Sequence, residues 1–399
     1  LPPRKKQVKP FYRPPTLLAR QVASLFYFSW LTRWNKLPQW LRSLRTNVAT
    51  AAGATGMGCI GFPIHPVWEV TSACNLRCQQ CHASSGHPLP QELSTAEGKK
   101  LLQDMAAIEE FRMLVFTGGE PFCRPDLLEL IACARDLGFE ISIATNGTLL
   151  TRELGRALKS LGVANLAIGL NANDRAIHEN ITRVPGSFES SRQAIALTRE
   201  LGMGLQINTT VMQENREAIP ELLDFASQVK AQIVLLYQFI PEGRGKREME
   251  LHVQEYRALT EMTAARQGQC GCIVEPTCAP QYWAYLLSRN GQRPSPRSLR
   301  VVRHLFQGCV AGSGLCYIKP DGEVWACPFI PVSAGNVRQT PIAHIWRESR
   351  LFADLRDKQN RKGACGTCSY NEICGGCRGR AYAHFHDYLA EDPLCFLRQ

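Results

Sequence analysis

From Pro66 onward the chain switches regularly between two hydrophobic periods. Short runs rich in branched and aromatic residues occupy 67–71 (VWEVT), 113–117 (MLVFT), 140–145 (EISIAT), 164–171 (ANLAIGLN), 204–211 (GLQINTTV) and 232–240 (QIVLLYQFI). They read as buried strands. Between them lie amphipathic helical stretches. TAEGKKLLQDMAAIEEF is opened by Ser94 and Glu97 at capping-box spacing, and DLLELIACARDLG is closed by Gly138. Six strand-helix units in series predict a parallel sheet, either open and doubly wound or curled into part of a barrel. In both, the loops after the carboxyl ends of the strands carry the chemistry.

After the sixth unit the periodicity fades. GQCGCIVEPTCAPQYW and RNGQRPSPRSLR have the composition of a linker. From Cys309 to Cys395 long apolar runs are scarce and Cys and Gly are dense, so metal rather than a large core is expected to hold that region together. The expected organisation is an extension over 1–62, an α/β core over 63–265, a linker over 266–308 and a Cys-rich domain over 309–399.

Composition sharpens this picture. The 399 residues suffice for two or three domains. Seventeen cysteines, odd in number and tightly spaced, favour metal ligation over a disulfide framework and argue against secretion. The net charge of +11 is an N-terminal property: ten basic residues from Arg4 to Arg45 and no acid occur before Pro63, whereas the rest carries 36 basic and 35 acidic residues. Within this arm LLARQVASLFYFSWLTRW is interrupted by Arg20 and is shorter than the roughly 20 apolar residues that span a bilayer. It could lie on an anionic membrane surface through Phe26, Phe28, Trp30 and Trp34, or pack on the body or a second subunit. A cleavable targeting peptide fits less well. Nucleic-acid binding is not expected, because the arm has no reading motif and the body is near neutral. The expected location is the cytoplasm, with the membrane periphery as an alternative set by the arm.

The first inter-element loop holds Cys74, Cys78 and Cys81 in a Cys-x3-Cys-x2-Cys run. Three thiolates leave one metal position open, the mark of a reactive rather than a closed site. Zinc with His82 as fourth ligand, or scattered core cysteines, are the plainer readings.

Together with TGGEP at 117–121 and TNG at 145–147, CNLRCQQC makes the chain resemble the radical S-adenosylmethionine (SAM) enzymes. That resemblance implies a partial (β/α)6 barrel in which Cys74, Cys78 and Cys81 bind a 4Fe-4S cluster. Its open iron chelates SAM, and reductive C–S cleavage releases a 5′-deoxyadenosyl radical. Gly118, Gly119 and Glu120 are then expected at the SAM amino group, and Asn146 and Asn171 at the ribose. Two positions depart from the family pattern. Gln80 stands where an aromatic or His is usual before the third cysteine, and Gly169-x-Asn171 where Ser-x-Asp is frequent.

The C-terminal region resembles a SPASM domain through Gly322-x4-Cys327 and Cys365-x2-Cys368-x5-Cys374-x2-Cys377, followed by Cys395. The family's interleaved ligation implies one auxiliary cluster on Cys309, Cys316, Cys327 and Cys377, and a second on Cys365, Cys368, Cys374 and Cys395. A final Cys-x3-Cys gap is commoner. A pair of zinc ribbons is the alternative. Six cysteines remain, Cys59, Cys123, Cys133, Cys270, Cys272 and Cys278: Cys133 reads as core, and Cys270, Cys272 and Cys278 cluster in the expected linker, where they are expected to face the substrate cavity and a substrate or cluster role is an alternative to a plain structural one.

TCAPQYW, IWRESRLFADLRD and CGGCRGRAYAHFHDYLAEDPLC look most like the tetrapyrrole-modifying members of alternative haem and haem d1 synthesis. This resemblance implies modification of an iron porphyrinoid, such as oxidative decarboxylation of propionates, with ferredoxin or flavodoxin as electron donor. Arg244, Lys246 and Arg247 in PEGRGKR are candidate cations for substrate carboxylates; a solvated basic loop is the plainer reading. The competing functions are maturation of a ribosomal peptide and a non-catalytic iron-sulfur electron carrier.

Overall fold

The computed structural model describes residues 65–108, 110–111, 113–266, 269–288, 299 and 308–397. The basic arm, Cys59 and nearly all of RNGQRPSPRSLR lie outside the described residues. The strand-helix series begins with β1 (His65–Glu69), α1 (Thr95–Ala106), β2 (Met113–Thr117), α2 (Leu127–Asp136), β3 (Glu140–Thr145), α3 (Arg152–Ser160) and β4 (Val163–Gly169). It continues through α4 (Arg175–Thr182), α5 (Ser187–Glu200), β5 (Gly204–Val211), α6 (Ile219–Gln228), β6 (Ile233–Gln238) and α7 (Val253–Arg266). Local chemistry places the ends. At α1, Ser94 Oγ accepts from Glu97 N–H at 3.3 Å while Glu97 Oε2 accepts from Ser94 N–H at 2.8 Å, the reciprocal box expected from the sequence. Gly138 ends the α2 unit at a φ of 90°.

The segment expected to be a linker does more than connect. It contains β7 (Ile273–Thr277), which pairs in parallel with β6, and α8 (Gln281–Ser288). β7 ends the sheet, and an edge strand tolerates the missing N–H of Pro276. The Cys-rich region adds β8 (Leu315–Ile318), β9 (Glu323–Trp325) and β10 (Gly335–Asn336). It then forms α9 (Ile342–Glu348), α10 (Arg350–Arg356), α11 (Gly363–Thr367) and α12 (Arg378–Phe385). β8 pairs in parallel with β1, so the sheet order is β10-β9-β8-β1-β2-β3-β4-β5-β6-β7. The result is one unclosed mixed sheet, a partial barrel extended by C-terminal strands.

Alternation along β1 separates its two faces. Trp68, fully buried, packs on Phe116 and against α1, where Gly98 leaves room for the indole. Its neighbour Glu69 is also fully buried but faces the concave side, toward β8. The convex face is covered by helices over a core that includes Leu102, Leu130, Ile143, Ile168, Ile207 and Leu222. Each such side chain contributes about 1.5–3 kcal/mol by leaving water. Because the core strands are parallel, the loops after β1 to β8 all open at one end of the sheet. Among the described residues no helix is long and apolar enough to cross a membrane.

Candidate active site

The loop after β1 is a closed ring. Gly86 N–H donates to Ser72 O at 2.9 Å and Cys74 N–H to Gly86 O at 3.2 Å, so Cys74, Cys78 and Cys81 hang from a loop tied at its base. All three are free, partly buried thiols within electrostatic reach of one another. Burial pushes Cys74 up to about 11 and Cys78 up to about 12. Thiolates are therefore unfavourable here unless a cation holds them, as a metal cluster does.

Glycines seat the neighbouring loop. Gly119 N–H donates to Thr71 O at 2.7 Å and Glu120 N–H to Ala73 O at 2.8 Å. A Cβ on Gly118 would stand 2.7 Å from Thr71 O, and one on Gly119 would stand 2.8 Å from Ser72 O and closer still to Ala73 O. The glycine requirement thus comes from backbone meeting backbone across β1 and β2. Gly119→Ala should cost about 1–3 kcal/mol through this overlap, read as a lowered melting temperature. An unchanged melting temperature would show that the loop can move aside.

Glu120, expected as charge partner of the SAM amino group, is fully enclosed and occupied by the chain itself. It accepts from Thr145 Oγ1 at 2.7 Å, Asn146 N–H at 2.8 Å and Phe122 N–H at 3.2 Å. Burial raises its pKa to about 7 against the pull of those donors. Its place is a tie between the GGEP and TNG loops. Asn146 in turn donates from Nδ2 to Asn75 Oδ1 at 2.9 Å, linking TNG to the cysteine loop.

Gln80 and Asn171, the two departures from the family pattern, come together. Gln80 Nε2 lies 3.5 Å from Asn171 Oδ1, and Gln80 Oε1 is buried with no hydrogen-bond partner among the described residues. A buried orphan acceptor beside a second amide suits the polar edge of a nucleoside.

The basic loop after β6 is spent differently from the expectation. Arg244 donates to Cys78 O at 3.0 Å and Ser85 O at 2.6 Å, and its N–H to Cys81 O at 3.0 Å. Gly243, at a φ of 61°, lets this loop press on the carbonyls of Cys81 and His82. Arg247 Nη2 sits 3.4 Å from the carbonyls of Ala383 and His384. Two of the three expected substrate cations therefore fasten chain to chain, because their donors find carbonyls within the fold.

His82, the alternative zinc ligand, turns away to the concave wall. Its Nε2 is 3.3 Å from Tyr317 Oη, and its ring meets Phe329 at 5.2 Å. Burial, with Lys319 adding, lowers its pKa to about 4, so it stays neutral. Tyr317 Oη donates to Glu69 Oε2 at 3.1 Å, and Lys319 pairs with the same oxygen at 2.6 Å. This Glu69–Tyr317–Lys319–His82 group was not singled out from the sequence. Glu69 and His82 lie far in the chain from Tyr317 and Lys319, and the two pairs meet because β8 joins β1.

The C-terminal thiols also gather. Cys365, Cys374 and Cys395 lie within electrostatic reach, and N–H groups of Asp392, Tyr370 and Gly376 aim at the sulfurs of Cys365, Cys368 and Cys374 at 3.4, 3.4 and 3.5 Å. Leu76 N–H does the same to Cys74 at 3.4 Å. A thiol is a weak acceptor and a metal-bound thiolate a strong one, so this donor set fits iron-sulfur groups. Cys270 and Cys272 precede β7, at the end of the sheet away from the site, and hydrogen-bond each other; only Cys278 follows β7. Cys123 touches the Asn75 backbone beside Cys74.

Comparison with known proteins agrees with this architecture. The radical SAM superfamily model matches residues 68–226, and the SPASM iron-sulfur cluster-binding domain matches 309–378. The AdoMet-dependent heme synthase of Methanosarcina barkeri is 35% identical over 336 residues, 83% of this chain and 95% of that protein. The mycofactocin maturase MftC of Mycobacterium tuberculosis is 30% identical over 349 residues, 84% of this chain and 83% of that one. The crystal structure of Streptococcus suis SuiB bound to S-adenosylmethionine superposes with a TM-score of 0.68 at 18% identity, covering 90% of this chain and 83% of that one. The chain belongs to the radical SAM superfamily. It is a radical SAM enzyme with SAM and 4Fe-4S clusters as cofactors.

Proposed function

We propose that the protein oxidatively decarboxylates propionate side chains of an iron porphyrinoid in the formation of a haem-type cofactor. The observation that carries this reading is the 35% identity to an AdoMet-dependent heme synthase across 95% of that protein's length. With SAM and its cluster bound, the site would supply the means to take hydrogen from a propionate β-carbon, and loss of CO2 would leave one electron for an iron-sulfur acceptor to take up. Cys74, Cys78 and Cys81 hold the SAM-binding cluster. Gln80 and Asn171 meet the nucleoside, and Arg244 pins the loop that carries the cysteines. Glu69, Tyr317, Lys319 and His82 line the concave wall, with Lys319 paired to Glu69. A small ferredoxin or flavodoxin is the expected electron source, and the basic arm is the expected contact with an anionic membrane surface.

Anaerobic incubation of reconstituted protein with SAM, reductant and iron coproporphyrin tests the reading. Mass spectrometry should show SAM-dependent loss of carboxyl groups. Similarity to a mycofactocin maturase favours peptide modification as the second reading. Turnover of a ribosomal precursor peptide with the porphyrin left intact would establish it in place of the first.

A further inference from the structure

The interleaved ligand set places Cys316 with Cys309, Cys327 and Cys377, but the fold does not bring Cys316 to them. Successive side chains on a strand face opposite ways. On β8, Tyr317 turns to the concave side, where its hydroxyl meets Glu69 and His82. Cys316 therefore faces the convex side. There it is fully buried in the helix-covered core, within electrostatic reach of Arg356 of α10. Bringing its sulfur to the other face would require breaking the parallel register in which Pro66 to Trp68 pair with Cys316 to Ile318.

Another thiol stands where the fourth is needed. Cys278 directly follows β7, at the carboxyl end of the sheet. Its side chain hydrogen-bonds that of Cys377 and lies within electrostatic reach of Cys327, while Cys309 faces both Cys327 and Cys377. Cys278 also has a φ of 60°, a left-handed conformation costly for a residue with a Cβ, and Arg380 Nη2 holds its carbonyl at 3.1 Å. The backbone is thus constrained where it presents this sulfur to the C-terminal domain.

We propose that Cys278, rather than Cys316, completes the thiolate set with Cys309, Cys327 and Cys377 for one auxiliary iron-sulfur cluster. The proposal rests on the auxiliary-cluster reading of the C-terminal domain, not on the identity of the substrate. It makes the strand expected to be part of a linker a contributor to the cluster site, and ties the edge of the barrel to the domain that follows it.

The test compares Cys278→Ala, Cys278→Ser and Cys316→Ala in the full chain, each reconstituted anaerobically. Iron and sulfide per chain and the electron paramagnetic resonance of the reduced protein are the readouts. Repeating the series on a Cys74→Ala/Cys78→Ala/Cys81→Ala background isolates the auxiliary signals. Cys316→Ala should keep the parental iron content and spectrum. Both Cys278 variants should lose up to about a third of the iron, about four atoms of twelve, or keep it with a shifted auxiliary spectrum. Circular dichroism separates ligand loss from misfolding, and the serine variant preserves the size of the side chain. Parental iron and spectrum in both Cys278 variants, or iron loss in a folded Cys316→Ala, would overturn the proposal. Zinc in place of auxiliary iron in the parental chain would overturn the cluster reading beneath it, whatever the substrate.

Discussion

Replacing any one of Cys74, Cys78 and Cys81 by Ala should lower reductive SAM cleavage by at least ~100-fold, measured as 5′-deoxyadenosine formed under anaerobic conditions. The three sulfurs hang from one closed loop, and burial holds the thiols of Cys74 and Cys78 well above neutrality. Two remaining cysteines leave a second iron without protein ligation, and the cluster is lost rather than merely weakened. Cys133→Ala, within α2 and packed against the core, is the control and should cleave SAM at the parental rate. Parental 5′-deoxyadenosine from a variant lacking one of the three would remove them from the SAM-binding cluster.

That this loop could be read from sequence at all follows from the range of the forces involved. The spacing of Cys74, Cys78 and Cys81 is set within one loop, as is the capping box of Ser94 and Glu97, so local pattern suffices. The six core strands were legible for a related reason: strands buried on both faces are continuous apolar runs, and 164–171 differs from Val163–Gly169 by only one residue at the start and two at the end. β7 was obscured by Pro276 and three nearby cysteines, signals that ordinarily mark a break. The joining of β8 to β1 was not legible, since residues some 250 positions apart carry no shared local pattern.

The same distinction runs through the site. Motif positions were visible, but the partners of their side chains were not. Glu120 and Arg244 both look available for ligands in the sequence, and both are satisfied by neighbouring loops once the strands align. For Cys316 a signal did exist. In LCYI the cysteine and tyrosine occupy adjacent strand positions, so only one can face the concave side. Arg380 gave no such signal: a basic residue in a helix next to a cysteine motif reads as solvated surface, yet it is fully buried.

Arg380→Ala should therefore be among the most destabilising single changes in the chain. Arg380 pairs with Asp392 at 3.2 Å and Glu250 at 3.5 Å, donates to Gln238 Oε1 at 3.3 Å and lies 4.9 Å over the Tyr256 ring. Asp392 in turn accepts from Cys377 N–H at 2.8 Å, and Glu250 Oε2 lies 2.8 Å from His384 Nε2. One guanidinium thus neutralises two buried carboxylates, one from the core and one from the cysteine-rich domain. Removing a partner from a buried pair costs about 3–5 kcal/mol, since the remaining charges stay desolvated and unpaired. That is a large share of the 5–15 kcal/mol by which folded proteins are typically stable. We expect Arg380→Ala to lower the apparent melting temperature by roughly 5 °C or more and to cut the soluble yield. Arg380→Lys, which keeps the charge but not the planar fork, should fall between it and the parent. Arg380→Ala combined with Asp392→Asn should be less harmful than the two losses added, because the second change removes a charge the first has stranded. Strict additivity, or a melting temperature within a degree of the parent, would show that the carboxylates are neutralised by protonation or water instead.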